Sequence, residues 1–78
     1  MQKYFFHIRQ DGVLTEDPDG SEFTTLDEAH DYAVSSAREI LANKVKNGKI
    51  IDGDSLEVVR PDGSVALTVP LKSALKFD

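Results

Sequence analysis

The stretch Thr25–Gly48, TLDEAHDYAVSSAREILANKVKNG, carries a start signal, a periodic body and a stop signal for one helix. Thr25-Leu26-Asp27-Glu28 has the form of a capping box, in which the threonine hydroxyl accepts from the backbone three residues on and Glu28 reaches back. Apolar residues recur at Leu26, Ala29, Ala33, Ala37, Ile40, Leu41 and Val45, close to a 3.6-residue period. Asp27, Glu28 and Asp31 lie near the positive end of the helix dipole, and Lys44 and Lys46 near the negative end. Asn47-Gly48 supplies a left-handed stop. The stripe is narrow and rich in alanine at its centre, so the helix is expected to lie close against a sheet.

Working outward, each flank reads as a hairpin. Tyr4-Phe5-Phe6-His7-Ile8-Arg9 is aromatic and β-branched, and Asp11-Gly12 suits the tight turn into Val13-Leu14-Thr15. Glu16-Asp17-Pro18-Asp19-Gly20 reads as a loop, and Ser21–Thr24 as a short third strand with Phe23 turned inward. Beyond the helix, 48–54 is a connector in which Ile50 or Ile51 is expected to tie the chain down. Ser55–Arg60 and Val65–Val69 then form a hairpin around Pro61-Asp62-Gly63-Ser64, with Pro70 ending the last strand. Leu71–Phe77 reads as either a short helix or a tail. The expectation is an α+β domain over residues 1–78: an antiparallel sheet of about four strands, hairpin-helix-hairpin, with one long helix on one face.

Alternation divides the strands between two faces. Tyr4, Phe6, Ile8, Leu56, Val58, Val65, Leu67 and Val69 are expected under the helix. Phe5, His7, Arg9, Glu57, Val59, Ala66 and Thr68 fall on the opposite face, which a single helix cannot cover. An uncovered, partly apolar face is the mark of a partner. Phe5, His7, Arg9, Glu57 and Val59 are therefore the candidate interaction surface, against the plainer reading of a half-exposed sheet with Arg9 paired to Glu57.

Composition narrows the function classes. The chain is 40% hydrophobic and 29% charged, which is globular, and it contains no cysteine for a disulfide or thiolate metal site. It lacks a signal-peptide pattern and a long apolar run, so a cytoplasmic protein without membrane contact is expected. Net charge is −5 and unevenly placed: residues 1–37 hold two basic residues against eight acids, and residues 38–78 hold seven against six. Such a chain is a poor nucleic-acid ligand and a natural complement to a basic protein. Glu16, Asp17, Asp19, Glu22, Asp27 and Glu28 form the candidate acidic partner surface.

Other clusters point to no chemistry. Gly20 follows Asp17 too closely for a calcium loop of EF-hand type. His30 with Asp27 and Asp31 does not complete a metal shell, and Ser35-Ser36 has no base beside it. Arg38, Lys44, Lys46 and Lys49 form a basic cluster that the helix dipole largely explains. No cofactor and no catalytic residue is assigned, and a non-enzymatic interaction module is expected, acting through the open sheet face or an edge strand, with a homodimer among its forms.

Tyr4-Phe5-Phe6-His7-Ile8, Asp11-Gly12, Asp17-x-x-Gly20, Leu26-x-x-Ala29 and Leu67-Thr68-Val69-Pro70-Leu71 together resemble a family of short bacterial proteins catalogued as a domain of unknown function. That resemblance spans nearly the whole chain and implies a small α+β domain, without an activity or site residues. A looser resemblance covers the first half. Its strand, glycine turn, Pro-Asp-rich loop and Thr25-Leu26-Asp27-Glu28-Ala29 are similar to the N-terminal domain of HicB-type antitoxins. It implies an acidic partner for a small basic ribonuclease toxin, although the second half here is a hairpin where those proteins usually carry a DNA-binding segment.

Overall fold

The aromatic opening of the chain forms the longest strand, β1 (Gln2–Gln10), and everything else is assembled on it. In this computed structural model residues 1–48 and 53–74 are described. The remaining elements are β2 (Val13–Thr15), β3 (Ser21–Phe23), α1 (Leu26–Lys46), β4 (Ser55–Val59), β5 (Val65–Pro70) and a 3-10 turn, Leu71–Ala74. All pairings are antiparallel, in the order β2-β1-β4-β5, with β3 also paired to β1. The sheet thus has four to five strands, and one helix packs on it, as expected for an α+β fold.

Local chemistry explains the turns. Asp11 and Gly12 both take positive φ, 52° and 77°, which matches the twist of a two-residue hairpin. At the second hairpin Gly63 takes φ 91°, while the Asp62 carboxylate accepts from the Ser64 N–H and hydroxyl. The capping box is complete: Glu28 N–H donates to Thr25 Oγ1, and Thr25 N–H donates to Glu28 Oε1. The helix ends at Asn47, followed by Gly48 at φ 69°.

The helix buries Ala29, Ala33, Ala37 and Leu41, each four residues from the last, so their side chains form one line along its underside. Against that line lie Tyr4, Phe6, Leu56, Val58 and Val69. Leu71 and Ala74 of the 3-10 turn close the same core. Phe23 is turned inward, and its ring meets Phe6 at 5.7 Å and Tyr32 at 5.4 Å. Burying side chains such as Leu56 and Leu71 stabilises by about 1.5–3 kcal/mol each before the entropy cost of ordering them.

Three expectations about the faces change, the first being Ala66, expected opposite the helix, which instead packs against the core. A register shift at Val58/Val59 pairs Val59 with Val65, not with Ala66. The extra residue moves Val65 from the helix face to the back of the sheet, where it is 50% exposed. Val59, expected to be uncovered, is only 6% exposed, because Phe5 and Val65 flank it across the ladder on either side. The anchoring expected of Ile50 or Ile51 lies outside the described residues, as does everything from Leu75 onward.

Candidate interaction surface

The back of the sheet begins with Phe5, His7 and Arg9 of β1, facing Val59, Glu57 and Ser55 of β4 in register. Arg9 Nε donates to Glu57 Oε2 at 2.9 Å, so the plainer reading of that pair holds. Phe5 and His7 are half-buried. What shields them is the chain's own loop.

β2 pairs with residues 8–10 of β1 and β3 with residues 2–4, leaving a gap that Asp17 fills. Its Oδ2 accepts the Phe6 N–H at 3.2 Å, standing in for the missing strand carbonyl. Its Oδ1 accepts the N–H groups of Asp19 and Gly20, each at 3.2 Å. Its own N–H donates to His7 Nδ1 at 3.0 Å, which leaves the proton of a neutral imidazole on Nε2. Partial burial works to raise the Asp17 pKa, but the Gly20, Phe6 and Asp19 donors outweigh it and hold the carboxyl below its ordinary value. Gly20, at φ 73°, lies so near Phe5 that a Cβ there would come within 3.0 Å of its ring. Lys3 Nζ lies 5.5 Å from the centroid of the same ring.

Asp17, expected as part of an acidic partner surface, is therefore a structural acceptor turned into its own loop. Glu28 is likewise occupied, its Oε1 taking the N–H groups of Thr24 and Thr25. Glu16, Asp19, Glu22 and Asp27 are exposed. The sequence reading missed Asp54, which is 4% exposed. Its carboxylate is paired with Lys44 and accepts the Asp11 N–H at 3.3 Å, while its carbonyl accepts the Leu71 N–H at 3.0 Å. The Lys44 hydrogen bond outweighs burial, and with the Asp11 donor and the lysine charge it holds the Asp54 pKa down. No local pattern marks that residue, because its partners are 10 and 43 positions away.

The basic cluster is largely spoken for, with Lys44 on Asp54 and Arg38 Nε donating to the Ala74 carbonyl at 3.3 Å. Lys49 lies outside the described residues. His30 and Asp31 approach to 3.8 Å with both side chains exposed. Among the described residues no group of three or more His, Asp or Glu is placed to hold a metal, and no helix is long and apolar enough to cross a membrane.

What remains open is β5. It pairs with β4 on one side and with no described strand on the other. No charged residue occurs from Gly63 to Leu71. Val65 is the one large apolar side chain of the back face that stays exposed among the described residues.

A family model described as a domain of unknown function, DUF6894, matches residues 3–72. The chain belongs to that family. The match takes in the helix, the Asp17 loop and every strand except Gln2 at the start of β1, so the sheet, helix and loop described above lie within the DUF6894 domain. It names no activity, and the likeness of the first half to HicB-type antitoxins has no counterpart in it. No curated protein and no solved structure matches the chain.

Proposed function

We propose that this DUF6894 domain is a non-enzymatic protein-interaction module that binds by strand addition at β5. The observation that carries the reading is the uncharged outer edge of β5, Val65–Pro70, along which no described strand pairs. Natural sheets guard such edges with charge, proline or short strands, because exposed N–H and C=O groups template a further strand. The opposite edge follows that rule closely: β2 and β3 are three residues each, Pro18 interrupts them, and five acids occur between Asp11 and Glu22. β5 has only Pro70 and the bulge opposite Val58/Val59, which confine a pairing segment to its middle. The back face is the weaker candidate, since the Asp17 loop shields Phe5 and His7 and the Arg9–Glu57 pair caps the next row.

The test is Val65→Lys/Thr68→Lys, which puts two cations on β5 at exposed positions and so spares the core. Circular dichroism should be unchanged, and association with any protein partner should drop at least tenfold. Association that is indifferent to both lysines would sink the reading. The exposed Glu16, Asp19, Glu22 and Asp27 support a second reading, an acidic surface for a basic protein. Binding of that kind should weaken steeply with salt and be lost on neutralising those four carboxylates.

A further inference from the structure

We infer that the strand added at β5 is the β5 of a second copy of this chain, giving a two-fold antiparallel dimer with one sheet running through both protomers. The inference rests on the strand-addition reading, and three observations direct it toward self-pairing. First, a two-fold antiparallel pair sets residue i against residue j and j against i, so residues at its axis meet their own copies and a charge in the middle of the strand would oppose itself. The uncharged run from Gly63 to Leu71 avoids that conflict, with the nearest charges, Asp62 and Lys72, beyond its two ends.

Second, the acidity of the chain lies at the other edge of the sheet. In the order β2-β1-β4-β5, joining β5 to β5 puts the two acidic edges at the outer limits of the joint sheet. Seven strand-to-strand steps of about 4.8 Å separate them by roughly 34 Å. That is several times the screening length of about 8 Å at physiological salt, so the net charge of −5 per chain does not oppose the dimer there. Pairing through β2 or β3 would bring the same acids face to face.

Third, each protomer is a two-layer slab only 16 Å thick in its shortest dimension, with a core built largely on alanine along the helix. Domains of this size commonly add to their stability by association. Extending the sheet also places the half-exposed Val65 of each copy at the joint.

The experiment is light scattering on the full chain over a range of concentrations, with two variants. The wild type is expected at twice the chain mass, falling toward the monomer on dilution. Val65→Lys/Thr68→Lys is expected to be a folded monomer by circular dichroism at concentrations where the wild type is dimeric. Glu22→Lys, on the far edge, is expected to leave the dimer in place. A wild type that stays monomeric throughout overturns the second-copy inference alone, and strand addition is then judged by whether a foreign partner is lost in the same lysine variant. A dimer that survives both lysines overturns the inference and the strand-addition reading together.

Discussion

Single residues hold the margins of this fold to its centre, and Asp17 and Gly20 do so side by side. Asp17→Ala removes acceptors for three backbone N–H groups, one of them from β1 itself. A loss of about 1–3 kcal/mol is expected in urea denaturation. Gly20 and Gly12 offer a controlled comparison, since both have φ near +75° but only Gly20 faces neighbours. Gly12→Ala should cost about 1 kcal/mol for the left-handed backbone alone. Gly20→Ala should cost measurably more, because its methyl group would meet the Phe5 ring and the Lys3 side chain. Equal costs would mean that the loop does not bear on Phe5. Asp54→Ala leaves the partly buried Lys44 ammonium and the Asp11 N–H without their acceptor, and a loss of about 3 kcal/mol is expected. Joint replacement of Asp54 and Lys44 by apolar residues should recover much of it. The importance of Asp17 and Asp54 could not be read from the chain, because an acid in a loop looks the same whether its acceptors point outward or inward.

At the scale of elements the helix is the most legible part, since its signals are local. The capping threonine, the glutamate three residues on and the period of the alanines all lie within Thr25–Gly48, and each appears where the pattern places it. Thr25→Ala should cost about 1 kcal/mol through loss of the cap. The alanine line sets how near the helix comes to β4 and β5. Ala33→Leu should therefore destabilise by about 1–3 kcal/mol by overpacking, although leucine is the larger hydrophobe. A more stable Ala33→Leu protein, by thermal or urea unfolding, would show a gap beneath the helix. The strands were legible in position but not in register. Alternation assigned Val65 to the helix face, and one extra residue between the two strands reversed it. Periodicity has no means of announcing a bulge.

For the whole molecule, Asp17 and Asp54 act alike: each carboxylate fastens a peripheral segment to the sheet, and each has its pKa lowered. The unfolded-chain value is about 3.9, so each group contributes stability above that pH, and the contribution is lost as pH falls through the lower folded-state value. The urea midpoint should accordingly hold from neutrality to about pH 5 and fall below about pH 4. Asp17→Asn and Asp54→Asn should each flatten the fall, and an unchanged slope in both would remove these two groups from the account.

By itself the sequence determined what depends on neighbours along the chain: the capped helix, the Asp11-Gly12 and Pro61–Ser64 turns, the alternating strands and hence the α+β class. These follow from backbone preference and periodicity, which act over a few residues. Only the tertiary structure decided which surface is left open. The burial of Val59 depends on Phe5 and Val65, the shielding of Phe5 on a loop folding back from β2, and the charge on Asp54 on a lysine from the helix. Burial and pairing are sums over residues distant in sequence, and here those sums cover Val59, shield Phe5 and His7, and leave β5 with no described strand on its outer side.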